Sequence, residues 1–352
     1  MKENNFKEGN NNNKNIYDYK LWNDLTKDSF AELLVDKAFI VFNSINEITY
    51  LIYSTKKKSI ISYDLINEEK INEIKNAHAN YITFFNHFFD KNQKKDFILS
   101  ASCSDNNIKI WDIHNYECIL NLSDIYNTGE ITSACFLTYE NNNYILSGDY
   151  SIHRQPIKVF DFKGNLIKTI DELKEKTLYI DTFYNKQSYK MYILTGHNGF
   201  IASFDYKENI IKHIYSEDDN KKLGHFKVIV WPLEFNNKEE RYKLIESCDD
   251  GYIRIWNFDE GTLLKKFKVK NKCYLYGICL LNDDYSFVGC SDKTIKIIDL
   301  YDGKIVKELT EGCQDDILCI SFINHPKYEK CLISQGIDQE QIKIWVNKKF
   351  LP

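Results

Sequence analysis

Glycine and proline are scarce, at 14 and four in 352 residues. Turn-making therefore falls to asparagine and aspartate, which tolerate left-handed backbone, as in Glu140-Asn141-Asn142-Asn143 and Asn282-Asp283-Asp284. No run of 18 apolar residues occurs, so no membrane-spanning helix is expected. The amino end, MKENNFKEGNNNNKN, lacks the apolar stretch of a secretory leader. Positive charge is not in excess either. The formal net charge is −5, whereas nucleic-acid-binding domains usually carry a strongly basic face.

Other chemistry is missing as well. There is no Gly-x-x-x-x-Gly-Lys phosphate loop and no dinucleotide fingerprint, and the eight histidines include no His-Glu-x-x-His pair. Asp249-Asp250-Gly251 lacks the ligand spacing and terminal glutamate of a calcium loop. Ten cysteines are present, but none forms a Cys-x-x-Cys pair. Cys135, Cys279 and Cys319 sit inside strand-like apolar runs, as buried free thiols of a reducing compartment would. The expectations are no enzyme activity, no cofactor, no metal, and a cytoplasmic location with the nucleus as the alternative.

What is present is a repeat. Seven segments run from apolar residues into an aromatic and an acid: SIISYDL at 59–65, IKIWDI at 108–113, IKVFDF at 157–162, IASFDY at 201–206, IRIWNF at 253–258, IKIIDL at 295–300 and IKIWV at 342–346. Their key positions are Tyr63, Trp111, Phe160, Phe204, Trp256, Ile298 and Trp345, spaced by 48, 49, 44, 52, 42 and 47 residues. Another strand precedes each mark (ITYLIY, FILSAS, YILSGD, MYILTG, KLIESC, SFVGCS, KCLISQ). All but the last are followed by a further one, such as NLIKTI at 165–170 or TLLKKF at 262–267. With a first strand such as ITSACFLTY or ILCISFI, each period holds four short strands, the content of one propeller blade.

The chain resembles the WD-repeat family from about residue 20 to its end, most specifically in SASCSDNNIKIWDI and ESCDDGYIRIWNF. The resemblance implies an all-β, seven-bladed propeller. It also implies a buried polar tetrad of His, Ser or Thr, Asp and Trp. In blade two the matching residues are His78, Ser100 (or Ser102), Asp105 and Trp111. In blade five they are His225, Ser247, Asp250 and Trp256. Both aspartates stand six residues before their tryptophan. Elsewhere the tetrad is eroded, with Ile298 in place of tryptophan in blade six and Cys313 in place of histidine in blade seven.

After Trp345 too little chain remains for another strand, and an open sheet edge invites aggregation. Propellers of this family commonly complete the last blade with their N-terminal strand. Residues 20–25, Lys20-Leu21-Trp22-Asn23-Asp24-Leu25, share the apolar spacing of TLLKKF and are assigned that place. The chain thus reads as a disordered Asn- and Lys-rich segment, 1–19, and a propeller, 20–352.

The resemblance implies a non-catalytic scaffold or adaptor for other proteins, monomeric by itself and part of a multi-subunit complex, with no membrane insertion. The alternative is a substrate receptor of a ubiquitin ligase. Many of those carry arginine two residues after the tryptophan-aspartate pair, where this chain has His114, Lys163 and Lys207. A G-protein β-like subunit would add an N-terminal coiled coil, and residues 1–19 contain no heptads. Binding residues belong on loops. Three loops depart from the repeat: 149–156, with Tyr150, His153 and Arg154 as a candidate partner-binding set; the acidic-then-basic 217–222; and 88–95.

Overall fold

The computed structural model describes residues 18–25, 38–126, 130–150, 156–173, 175–217, 225–233, 241–311, 315–337 and 342–350, with side-chain detail for all but 225–233, Arg241 and Phe350. They form 28 strands in seven four-stranded antiparallel sheets. Strand β1 is Tyr19–Asp24. Blade one is β2 (Phe39–Asn43), β3 (Thr49–Ser54), β4 (Ile60–Asp64) and β5 (Glu69–Ile74). Blade two is β6 (Phe84–Asp90), β7 (Lys95–Ser102), β8 (Asn107–Asp112) and β9 (Glu117–Leu122). Blade three is β10 (Ile131–Tyr139), β11 (Asn142–Asp149), β12 (Ile157–Asp161) and β13 (Leu166–Ile170). Blade four is β14 (Tyr179–Asn185), β15 (Lys190–Gly196), β16 (Ile201–Asp205) and β17 (Ile210–Tyr215). Blade five is β18 (His225–Leu233), β19 (Arg241–Cys248), β20 (Tyr252–Asn257) and β21 (Leu263–Lys268). Blade six is β22 (Leu275–Leu280), β23 (Tyr285–Cys290), β24 (Ile295–Asp299) and β25 (Ile305–Leu309). Blade seven is β26 (Ile317–His325), β27 (Glu329–Gly336) and β28 (Ile342–Asn347), completed by β1.

The first strands lie around the axis. Each touches the next, from β2 through β6, β10, β14, β18, β22 and β26 and back to β2. That closed cycle makes the sheets a seven-bladed ring. The fourth strands form the rim. Strand β13 is mostly exposed, whereas β7 is buried almost throughout.

The core is divided rather than central. Each of seven apolar clusters fills one junction between neighbouring blades. Ile52, Ile60, Phe85, Ile98 and Trp111 join blades one and two, and Ile245, Ile255, Leu275, Val288 and Ile298 join five and six. Alternation along each strand supplies both faces, since residues two apart point the same way. Side chains of one blade thus pack against the next. The approach of blades six and seven is close enough to require glycine. A Cβ on Gly289 would lie 2.6 Å from the Ile317 carbonyl oxygen, and one on Gly277 would lie 2.8 Å from that of Leu318.

The N-terminal strand closes the ring. It pairs antiparallel with β28, with Tyr19 opposite Asn347 and Asp24 opposite Lys343. It begins at Tyr19, one residue before the expected 20–25 and inside the segment expected to be disordered, because Tyr19 is buried between blades six and seven. Residues 1–17 lie outside the described residues.

Candidate functional site

The ring has two ends. Turns between second and third strands share one end with the linkers that lead into each next blade. Turns between first and second strands share the other with those between third and fourth. At the linker end of blade two, the chain leaving β5 brings His78 against β7. His78 Nε2 lies 2.7 Å from Ser100 Oγ, and Trp111 Nε1 donates to the same oxygen at 2.8 Å. Asp105 is beside this line rather than in it. Its carboxylate accepts the Asn80 N–H at 2.8 Å and lies 3.8 Å from His78 Nδ1. Burial pushes the His78 pKa down to about 4, so the ring is neutral. Trp111 can only donate, so the serine hydroxyl is free to donate to a neutral Nε2 while Nδ1–H faces Asp105. Ser102, the other reading for the serine, makes no side-chain hydrogen bond among the described residues. Blade seven repeats the inner step, with Trp345 Nε1 donating to Ser334 Oγ at 2.8 Å.

Blade five is built differently, and the expected serine moves. Trp256 pairs with Leu244 as Trp111 pairs with Ile98, so the residue matching Ser100 is Glu246, not Ser247. Ser247 takes the position of Ala101, on the opposite face. The cause is a tight turn one residue shorter, 249–251 against 103–106. A one-residue slip reverses every side chain of a strand. Glu246 instead faces Arg254, 3.5 Å away. Arg254 also donates to Asp250 and, at 2.9 Å, to Glu217 of the incoming linker. Burial works against the Arg254 charge, but Asp250 and Glu246 more than offset it and raise its pKa. Asp250 is thus an arginine partner. Trp256 Nε1 has no hydrogen-bond partner among the described residues. His225 opens β18, and its side chain lies outside the described residues.

Further clasps escaped the sequence reading because their residue types differ. In blade three the Tyr126 hydroxyl donates to the Ser147 carbonyl at 2.6 Å, and Lys158 donates to the Ile125 carbonyl. In blade four the histidine is in the tight turn, where His197 bridges Thr195 Oγ1 at 2.6 Å and the Lys176 carbonyl at 3.0 Å. Each arrangement holds the incoming linker against its blade. A tyrosine four residues past the end of β9 was the signal the sequence offered.

Of the candidate loops, 150–156 is the longest turn between second and third strands. Tyr150 donates its N–H to the Glu130 carbonyl at 3.0 Å, and the Lys176 ammonium lies 4.3 Å from its ring centre. His153 and Arg154 lie outside the described residues. In the second loop, Glu217 turns inward to Arg254 and Lys266, and 218–222 are outside the described residues. The third loop is an ordered turn at the opposite end. Asp90 accepts from the backbone of Asn92 and Gln93 and from the Asn143 amide. It borders a cleft of about 530 Å³ between blades two and three, walled also by Asn141, Asp161 and Lys163.

The family model described as WD domain, G-beta repeat matches residues 71–112. That segment starts in β5 and ends with Trp111-Asp112. It therefore covers one outer strand, one linker and the first three strands of the next blade. Comparison with the curated proteins gives no match. With seven such blades closed into a ring, the match supports a seven-bladed β-propeller of the WD-repeat type. Proteins of this fold are generally protein-interaction scaffolds, and typically non-catalytic.

Proposed function

We propose that this protein is a non-catalytic scaffold that holds other proteins on the linker end of the ring, within a multi-subunit complex of a reducing compartment. One observation carries the reading. The turn 150–156 spans seven residues, whereas the turns between second and third strands in the other blades span three to five. Rigid blades with one extended turn at that end suit a binding face, since partners are met by loops held on a fixed frame. The turn 150–156, with Tyr150, His153 and Arg154, is the proposed contact, because aromatic and arginine side chains dominate interface energetics. The linker clasps serve this role by holding the loops in place before a partner arrives, which lowers the ordering cost of binding. The nine described free cysteines suit a reducing compartment.

Native affinity purification of the full chain tests the reading. The expected result is stoichiometric co-purifying protein that is lost from a Tyr150→Ala, His153→Ala, Arg154→Ala variant of unchanged melting temperature. Retention of the same partners by that variant would remove the contact assignment. Turnover of a small substrate by the purified chain would remove the scaffold reading itself.

A further inference from the structure

Blade six has lost the inner half of the polar tetrad. Val288 stands where blade two has Ser100, and Ile298 stands where it has Trp111. The outer half is not lost but replaced. The linker between β21 and β22 carries Cys273 just before the first strand, as the linker into blade two carries His78. Asp292 stands six residues before Ile298, as Asp105 does before Trp111. Cys290 ends β23 at the position of Ser102. A relay to tryptophan cannot explain these groups, because its receiving end is now apolar. Yet Cys273 Sγ, Cys290 Sγ and a carboxylate oxygen of Asp292 all lie within 4.8 Å of one another.

We propose that Cys273, Cys290 and Asp292 form a binding site for a thiophilic divalent cation of the zinc class, which staples the linker to blade six. Thiolates select such ions, while a single carboxylate is too poor an oxygen set for calcium or magnesium. Bonds of about 2.3 Å to sulfur and about 2.1 Å to oxygen space tetrahedral ligands by roughly 3.5–3.8 Å, so small rotations close the site. Both thiols are buried, at 1% and 0% exposure, while Asp292 is partly exposed and offers the entry path. The carboxylate is already oriented. Lys270 and Lys296 donate to it at 2.7 and 2.8 Å, and Thr294 Oγ1 donates at 2.6 Å. Outer partners of this kind hold a ligating carboxylate in place. Two thiolates, one carboxylate and a dication sum to a single negative charge, and Lys270, Lys296 and Glu308, 3.6 Å from Lys296, together bring the cluster to neutrality. Binding sends the two thiol protons to solvent. The fourth position is left to water.

Cobalt(II) titration of the full chain, reduced and stripped of metal, is the test. One equivalent should raise a sulfur-to-cobalt charge-transfer band and tetrahedral visible bands, and zinc should abolish them. Cys273→Ser and Cys290→Ser should each remove the charge-transfer band. Asp292→Asn should weaken binding tenfold or more, and Cys135→Ser, in blade three, should change nothing. Zinc should also raise the melting temperature of the wild-type chain, a readout that survives if a serine variant fails to fold. No band in the wild-type chain, or a band that persists in folded Cys273→Ser and Cys290→Ser, would overturn the proposal. So would a Cys273–Cys290 disulfide recovered from the isolated protein in place of metal.

Discussion

Lys307 Nζ donates to Asp18 Oδ1 at 2.6 Å, joining residues 289 apart in sequence. The same device recurs between other blades. Outer-strand lysines reach the next blade at Tyr206 (Lys168), Asp259 (Lys212) and Tyr301 (Lys265). Elsewhere the acceptor lies at a covalent turn between third and fourth strands. Blade seven has no such turn. Asp18 takes its place, accepting also from Lys348 at 3.2 Å, while its carbonyl accepts the Lys348 N–H at 2.7 Å. A chain break is thereby bridged by charge and backbone pairing.

Ring closure should depend on the strand far more than on the ion pair. Removing residues 1–14 should leave the melting temperature unchanged. Removing 1–28 exposes the clusters that Tyr19, Trp22 and Leu25 cover. It should cost about 5 kcal/mol or more, at roughly 2 kcal/mol for each buried apolar side chain plus the strand pairing. Lys307→Met should cost less than about 1 kcal/mol, as half-exposed ion pairs do. Urea unfolding of the three variants checks the order, and light scattering should show association only when β28 is left as an edge.

The two kinds of tryptophan should separate in a matched pair of substitutions. Trp111→Phe strands Ser100 and His78 and should cost about 1–3 kcal/mol beyond the lost packing. Trp256→Phe removes an N–H that has no partner among the described residues, so it should cost about 1 kcal/mol less. Denaturant midpoints at fixed slope measure the difference. Equal costs would contradict the register that puts Glu246 in the serine position.

Stability should fall as acid reaches His78. Its folded pKa, about 4, is below the unfolded value near 6.5, so the unfolded chain binds the extra proton. The stabilisation is complete above about pH 6.5 and is lost as pH falls toward 4. About 2 kcal/mol should be gone by roughly pH 5. Asp96, Asp112 and Asp292, whose pKa values are lowered, add their losses only below the ordinary carboxylate range. Urea unfolding at about pH 7 and pH 5 reads the window, and His78→Gln should flatten it.

Blades six and seven should tolerate no added carbon at their contact. Gly289→Ala drives a methyl to 2.6 Å from the Ile317 carbonyl oxygen. The expected loss is about 1–3 kcal/mol, the range for overpacked cores, read as a lower melting temperature. A neutral result would mean that the blades are free to move apart.

The linear pattern determined the number of blades, the strands of each and the source of the last strand. These follow from local rules, because every repeat must offer the same apolar alternation to its neighbours, so the period of the marks counts the sheets. The Ser100–Trp111 step of blade two follows from the same rule, since its two members lie at fixed offsets on the neighbouring strands β7 and β8. Only tertiary structure decided what depends on register and on approach between distant segments. Shortening one turn by a residue moved Ser247 to the far face and put Glu246 opposite Arg254. Cys273 and Cys290 match no ligand spacing along the chain, yet linker and strand end meet in blade six. Asp18 and Lys307 find each other only once the ring has closed. A sequence records neighbours along the chain, and these groups are neighbours only across it.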